Sequence, residues 1–577
     1  MKRNILFKSV VCLTAMLGAT SCHDYLDNLP LDKFPADVVW GSPSSAQAFV
    51  DGTYNATGFL IQNDDWSDNA CVNGQVVDNF TREQITEDND YGWNQFGWIR
   101  RCNLIIDKVS NSNFPENDKN KLLGEGYFLR AVVNFNQARR FGRLILVDKV
   151  LTPEDEMNLP RTKTMKETYD FILNDLDEAI ARLPKDVVQG RISKGAAYAL
   201  KAEVCLHGAA FLENASDKQN YYQQAKAAGE GLFSLNKYAL VSDFAGMFNV
   251  DNINKDNSEI ILAQYKLAEN TTFQSTWMQG MCPNMNKDKY KGQDYGGSWE
   301  KWGLKTQFEG WLERTPSQDL VDAFLVIDRD GKAKRWDEAS YYTKDYLQDK
   351  SVGVHDAMYI HRDARFDATI VSDSTMFYGN LVSTRLGGNV HYLSNKEQPR
   401  HVTKSGYLWR KCMYEAEWLW YSNPTNYHYV ILRLGRAYLN HAEALLRLGD
   451  KATAVEYINK TRTTHGQLPA LESSVSVEDA WKYYKIERRA DLALENDRYW
   501  SLIRWGKEEG LDVIPELNRA PNAISISADG NSFEIIPVPN ITAENTRVFT
   551  SKHYLLPIPR HERNENPNLA NDQNPGW

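Results

Sequence analysis

The chain has 577 residues, a formal net charge of −10, and charged side chains at 25% of positions. With its negative mean hydropathy, that balance excludes a disordered chain and a multi-spanning membrane protein, and it leaves room for more than one core. The acidic balance and the lack of a long basic run argue against nucleic-acid binding, which needs clustered Lys and Arg against phosphates. Aromatic content is the outlying figure. Sixteen Trp and twenty-nine Tyr exceed what a helical core requires, so part of the set is expected to form a binding face.

At the N-terminus, Lys2 and Arg3 precede an apolar stretch from Ile5 to Leu17, followed by Gly18, Ala19, Thr20, Ser21 and Cys22. A charged start, a short apolar run and a small-residue end have the form of a secretory signal. The run is too short for a comfortable membrane span. The cysteine directly after the small residues points to a lipoprotein signal, residues 1–21, cut before an acylated Cys22. Ala19 departs from the Leu usual there, and a plain secretory signal is the alternative. Apart from Cys12 and Cys22, the cysteines are Cys71, Cys102, Cys205, Cys282 and Cys412. They are scattered, with no CxxC pair, which argues against a disulfide framework or a zinc site and for buried small side chains.

From Cys22 to about Asp51 the chain reads as an extended lead-in, interrupted by Pro30, Pro35 and Pro43. Helical periodicity follows. Asp118–Phe141 carries Leu122, Leu129, Val132 or Val133, Asn136 and Arg139 at alternating steps of three and four. Lys166–Leu183 places Tyr169, Ile172, Leu173, Leu176 and Ile180 on one stripe, and Pro184 stops it. Ser193 is positioned to cap a helix running to about Phe211, and another is expected over Tyr221–Phe233. In the C-terminal half, one helix is predicted over Tyr427–Leu448 and the next over Lys451–Arg462. Gly449 suits the first helix's C-terminus and Asp450 the second's N-cap. A further helix is expected over Val477–Glu495.

An internal similarity links the halves. Ala197-Tyr198, Ala202-Glu203 and Leu206 match Ala437-Tyr438, Ala442-Glu443 and Leu446 at identical spacings. Small residues recurring on one face let helices approach closely, and Ala454, Ile458 and Thr461 continue the pattern of a tetratricopeptide (TPR) repeat. Ordinary helix pairs are the alternative. Between the halves, Trp277–His401 loses helical regularity, with short strands expected near Tyr359-Ile360 and Phe377-Tyr378. A long irregular excursion on a helical scaffold is where function concentrates.

Two constellations stand out. Trp277, Tyr290, Tyr295, Trp299, Trp302 and Trp311 fall in one loop-rich stretch among Asn284, Asn286, Asp288, Asp294 and Glu300. Sugar rings have apolar C–H faces on which aromatic planes stack, and a hydroxyl rim that carboxylates and amides can bond. The run Asn63-Asp64-Asp65-Trp66 with Asp68 and Asn69 has the same character, unless its Trp tucks underneath. Asp65, Trp66, Asp68, Trp277, Tyr290, Tyr295, Trp299 and Trp302 are therefore the candidate glycan contacts, with Trp66 and the Trp277–Trp302 stretch expected on one platform. Trp93 and Trp98 lead into a helix, which favours packing. His361-Arg362-Asp363 echoes a kinase catalytic loop but has Ala368 where Asn is needed. Asp328–Gly331 echoes a calcium loop but has Val326 at the first ligand position, so a turn is expected. No catalytic triad motif, zinc-protease motif or phosphate loop occurs, and neither cofactor nor metal is expected.

Several motifs together resemble the SusD/RagB-type outer-membrane lipoproteins of Bacteroidota, over nearly the full chain. They begin with Ser21-Cys22-His-Asp-Tyr-Leu-Asp27 and Gly-Glu-Gly-Tyr-Phe-Leu-Arg-Ala at 124–131, ending in Arg140-Phe141-Gly142. Thr315-Pro316-Ser317 through Phe324 follows, then Asp363-Ala-Arg-Phe366, where the family more often has Pro in place of Ala364. Next come Leu432-Arg-Leu434 through Ala444, Ile486-Glu-Arg-Arg489 with Glu495, Arg498-Tyr-Trp500 and Arg504-Trp-Gly-Lys507. Tyr554-Leu-Leu-Pro-Ile-Pro559, Asn566-Pro-Asn-Leu569 and Gln573-Asn-Pro-Gly-Trp577 close the series.

The resemblance implies a mostly α fold, a TPR-like helix-pair superhelix with an irregular, loop-rich second half containing short strands. Residues 22–577 are then one region, with helix pairs within about 118–235 and 427–505 and variable ligand-binding loops at about 55–95 and 270–410. It further implies a surface-exposed, lipid-anchored outer-membrane protein that delivers oligo- or polysaccharide to a SusC-like TonB-dependent transporter. It does not transfer a glycan site, because that site varies among members. The number of Trp points to a flat-faced chain such as a plant β-glycan. A secreted glycoside hydrolase, which needs paired carboxylates on one sugar, and a TPR-type peptide-binding lipoprotein are the other readings.

Overall fold

The computed structural model describes residues 36–60, 64–73, 84–284, 309–342, 353–391, 402–415, 420–539 and 547–577. Helices dominate. After α1 (Pro43–Thr53) come α2 (Phe96–Ser110), α3 (Glu116–Phe141), α4 (Met165–Arg182), α5 (Lys194–Phe211) and α6 (Ala215–Ser234). Each packs on the next in sequence from α2 to α6. The local chemistry fixes their ends. Acidic Glu116 and Asp118 sit in the first turn of α3 and Arg139 and Arg140 in its last, where each sign opposes the helix dipole. Gly142 then turns the chain at φ +74. Ser193 Oγ accepts from the Ala196 amide at 3.2 Å and caps α5 as expected. Helix α6 starts six residues before the Tyr221 at which its apolar stripe begins. Asn214 Oδ1 accepts from the Ser216 amide at 2.8 Å, so a polar first turn is stabilised by its cap rather than by burial.

A buried polar link adds register to this stack. Arg130 of α3 donates to both Asp175 oxygens of α4 at 2.8 and 2.6 Å, and to Asn103 Oδ1 of α2 at 2.8 Å. Around it Phe128, Leu129, Val133, Leu176 and Leu206 form the helical core.

The C-terminal half departs from expectation at two elements. Tyr427–Arg433 is a strand, β6, antiparallel to β2 (Ile260–Lys266), and helix α8 begins only at Leu434 and runs to Arg447. The run Tyr-His-Tyr-Val-Ile-Leu-Arg is aromatic and β-branched, which suits a pleated surface buried on both sides. Helix α9 (Lys451–Thr464) follows Gly449 at φ +83, with Asp450 Oδ1 accepting from the Thr453 amide at 3.2 Å. Helix α10 (Val477–Asp491) ends four residues before Glu495, because Leu494 and Asn496 adopt left-handed backbone, and α11 (Arg498–Glu508) resumes. The matched small residues do lie in corresponding helices. Ala197, Ala202, Leu206, Ala437, Ala442 and Leu446 are all buried, and α8 packs against both α5 and α6. The stack of helix pairs thus continues through the C-terminal half.

The irregular half has its own core, with Phe244, Met278, Phe324, Phe366, Tyr407, Trp409 and Tyr427 among its members. Its strands are short and paired two by two. Phe377 does lie in a strand, β4 (Met376–Phe377), which turns through Tyr378 and Gly379 into β5 (Asn380–Leu381). Tyr359 instead follows a short helix, Val354–Met358, in a turn.

Between this core and the C-terminal helices lies a buried ionic network. Arg365 contacts Asp363 at 2.6 Å and Asp491 at 2.9 Å, and also Glu487. Arg433, at the end of β6, reaches Glu259 and Glu495, each at 2.8 Å. Lys411 meets Glu495 at 2.6 Å. His465 bridges Asp491 at 2.7 Å and Glu259 at 2.9 Å. These side chains are almost wholly buried. Removing one member strands the others' charge, typically at about 3–5 kcal/mol.

His465 gives this network a pH signature. Burial disfavours its charge, but Asp491 and Glu259 outweigh burial and push the imidazole from 6.5 up to about 9. A pKa raised in the folded state stabilises fully below the unfolded value and ceases to do so as pH rises through the folded one. We therefore expect thermal stability to decline between pH 6.5 and about 9, and His465→Gln to remove that part of the decline while lowering stability at pH 6. Equal slopes for the variant and the parent in thermal melts across this range would refute the assignment.

Candidate functional site

The two stretches singled out in the sequence meet through a small ladder. Strand β1 (Ala70–Val72) pairs antiparallel with β3 (Arg314–Pro316), Val72 opposite Arg314 and Ala70 opposite Pro316. Just before β3 the chain folds back along the short helix α7 (Trp277–Met281). Trp311 N donates to Gln279 O at 2.6 Å, Glu313 N to Gly280 O at 2.7 Å and Leu312 N to Cys282 O at 3.0 Å. Asn284 bridges Glu309. Together these bonds make a neck. At Gly310 a Cβ would lie 1.8 Å from the Cys282 carbonyl, so only glycine lets the two sides approach. Tyr290, Tyr295, Trp299 and Trp302 fall between the two sides of this neck in sequence, outside the described residues.

Beside the neck is an open cleft of about 200 Å³, lined by Trp277, Gln279, Trp311, Glu313 and Arg314 among others. Trp277 is half-buried, its ring standing edge-on to Tyr429 at 4.8 Å and 76°. Trp311 is 40% exposed. The Gln279 amide is taken with its NH2 toward the Gln274 carbonyl (2.7 Å) and its oxygen toward Trp311 Nε1 (3.2 Å), the orientation that satisfies both neighbours. The indole is thereby held by its polar edge. Arg314 donates to Asp65 Oδ2 at 2.7 Å and to Glu313 Oε2 at 2.8 Å. Burial works against its charge, but Asp65 and Glu313 outweigh it and hold the guanidinium protonated. The cleft thus combines indole surface with an amide and a fixed ion pair. Such a cleft can stack an apolar ring face and bond its polar rim. Gln279, Glu313 and Arg314 carry no signal in the sequence, being ordinary polar residues until the neck folds.

The other run faces inward. Asp64, Asp65, Asp68 and Asn69 are all nearly inaccessible. Asp68 accepts from Arg498 at 2.9 and 3.1 Å and pairs with Arg489 at 3.0 Å. Burial would raise its pKa, but the two arginines outweigh that and hold the carboxyl well below its usual range. At Asp64 burial prevails and pushes the carboxyl up to about 6, even though Asn69 Nδ2 and the Leu494 amide donate to it. Trp66 packs against the helical core. It sits 5.7 Å from Tyr499 and 6.3 Å from Trp500, and Arg140 lies 5.7 Å above it. Trp277 belongs to the other core. The carboxylates that looked like an exposed sugar rim are scaffold ion pairs, because arginines distant in sequence converge on them. Asp65 is linked to the cleft indirectly, by holding Arg314.

The remaining motifs resolve as structure. Trp93 is buried edge-on against Phe141 at 5.1 Å, as its position before α2 implied. Asp363 anchors Arg365. Asp328 closes a turn with Gly331 at 2.8 Å and accepts from the Ser340 amide. The five cysteines are free and buried, and burial pushes Cys71, Cys102, Cys205 and Cys412 up to about 12, far from a reactive thiolate. Among the described residues no helix is long and apolar enough to cross a membrane.

These placements separate scaffold from surface by experiment. Asp68→Ala leaves two guanidinium groups without their carboxylate and should cost roughly 3–5 kcal/mol. Trp66→Ala should cost on the order of 3 kcal/mol through lost packing. Both should lower the melting temperature, and an unchanged melt in either variant would show that the residue is not part of the scaffold.

Comparison with known proteins agrees with this architecture. A family model described as "SusD family" matches residues 258–577, and one described as "Starch-binding associating with outer membrane" matches residues 45–206. The chain is 22% identical over 530 residues to SusD-like protein P38 of Formosa agariphila, covering 86% of this chain and 90% of that one. It is 22% identical over 446 residues to the starch-binding protein SusD of Bacteroides thetaiotaomicron, covering 74% of each. Among solved structures, a SusD-like protein from Bacteroides fragilis superposes with a TM-score of 0.76 at 25% identity, over 95% of this chain and 100% of that one. A laminarin-binding SusD-like protein superposes at 0.58 and 20% identity, over 93% and 100%. With one family model covering more than half its length, the chain belongs to the SusD family.

Proposed function

We propose that the protein captures an oligo- or polysaccharide at the Trp277–Trp311 cleft without breaking bonds, and passes it to a SusC-like TonB-dependent transporter from a lipid-anchored position on the outer membrane. The observation that carries the binding step is the pair of indoles beside Gln279 and the Glu313–Arg314 pair in one open cleft. The starch- and laminarin-binding names of relatives support a glycan as ligand. The transporter, the anchor and the surface location rest on family resemblance. In this reading Asp65 positions Arg314, and Trp66 and Asp68 hold the scaffold beneath.

Binding is favoured over hydrolysis by the charges at the cleft. A glycosidase sets two carboxyl groups about 5–10 Å apart across the scissile bond. Among the described residues, the cleft presents one carboxylate, Glu313, and Arg314 holds it in an ion pair.

Stacking a sugar on an indole buries apolar surface at roughly 25 cal/mol per Å² and gains about 1 kcal/mol more from ring contact. Trp311→Ala and Trp277→Ala should each weaken binding by about 1–3 kcal/mol, tenfold or more. Trp311→Ala should keep the parental melting temperature. Calorimetry against laminarin, starch and a plant β-glycan, with product length followed by chromatography, tests both parts. Unaltered affinity in both variants would remove the cleft from the site, and shortened glycan would favour the hydrolase reading.

The anchor has a separate test. Cys22→Ala should move the protein from the washed membrane fraction to the soluble one. Retention on the membrane would mean that Cys22 is not the point of attachment.

A further inference from the structure

Among the described Phe, Trp and Tyr residues, the two most exposed are Tyr421, at 41%, and Trp311, at 40%. Lone exposed aromatics are unremarkable on a protein surface. These two are tied together by one hydrogen-bonded relay. The Gln274 amide donates to the Tyr421 carbonyl at 3.2 Å. The Gln274 carbonyl accepts from the Gln279 amide at 2.7 Å, and the Gln279 oxygen accepts from Trp311 Nε1 at 3.2 Å. The loop bearing Tyr421 is laced to the segment before α7 at further points. Phe273 N donates to Asn423 O at 3.0 Å and Thr425 N to Thr271 O at 2.9 Å, and Thr272 bridges Pro424. Tyr421, Trp277 and Trp311 therefore ride on one bonded strip of backbone, and an ordered backbone fixes their spacing before any ligand arrives.

We propose that Tyr421 forms a second stacking position for the same glycan, so that the site takes an extended oligosaccharide spanning the Trp277–Trp311 cleft and the 420–425 loop. This rests on reading that cleft as the glycan site. Size supports the extension. The cleft is about 200 Å³, below the roughly 300–1,000 Å³ that encloses a drug-sized ligand, so it holds only part of a chain. Whatever follows must run along the adjoining surface, and Tyr421 is an exposed ring whose main-chain carbonyl is bonded to the strip beside the cleft. The ligand class is then an oligosaccharide of several residues, with mono- and disaccharides bound weakly because they reach one position only.

A printed array of plant, algal, fungal and bacterial oligosaccharides of graded length tests this with the full soluble chain, Trp311→Ala, Tyr421→Ala and Tyr421→Phe, each checked by thermal melting. Expected is a gain in affinity with length for the parent. Tyr421→Ala should lose about tenfold on the longer members, as for one stacked ring, and stay within about twofold on the shortest. Tyr421→Phe should keep the gain, since the ring and not the hydroxyl supplies it. If Trp311→Ala weakens every length and Tyr421→Ala follows the parent at every length, the second position is wrong and the cleft stands. If Trp311→Ala also follows the parent, or the parent binds nothing on the array, the cleft reading fails and the extension with it.

Discussion

The buried network around Arg365, Arg433, His465 and Asp491 is what the rest of the molecule leans on. Its members come from the start of β2, the end of β6, the turn after α9, helix α10 and the loops holding Asp363 and Lys411. Hydrophobic burial is non-directional, and it tolerates sliding between a helix stack and a loop-rich layer. Charges buried to this degree accept few arrangements, since any shift leaves one without its partner. The network therefore sets the orientation of the irregular half on the helical half, at an energetic cost that the surrounding cores offset.

That orientation is what allows the proposed binding cleft to be made of loops. The cleft at Trp277 and Trp311 has no long strand or helix in it. Its geometry comes from main-chain bonds between α7 and the segment before β3, and from Arg314 held by Asp65 and Glu313. Loops so braced can present side chains rigidly, while a regular element would commit alternate residues to the core. The same bracing explains why an exposed indole coexists with a low cost of folding. Its polar edge is satisfied by Gln279.

Much of the helical half was legible because period and caps agree there. Ser193 and Asp450 each accept from the amide three residues on, and the stripe from Tyr169 to Leu176 is buried as its spacing requires. The strand at Tyr427–Arg433 was not legible, since a short, largely apolar run joined to a helical pattern has no period of its own to mark the break. The acidic run at 64–68 misled for a different reason. Composition shows that carboxylates are present, but Arg489 and Arg498 lie more than 400 positions away in sequence, and only the fold reveals that they neutralise it. Polar residues acquire their meaning from partners, and those partners are seldom local.

The neck closed at Gly310 has a consequence for how such a protein changes over generations. Its two sides are bonded to each other and to α7, so the scaffold is complete at residues 284 and 309 whatever joins them. Closing a loop costs only about 0.6 kcal/mol more for each doubling of its length. A lineage can therefore lengthen or shorten the chain between residues 284 and 309 while the helix stack and the ionic network stay as they are, so that sequence change at this place is uncoupled from the stability of the fold.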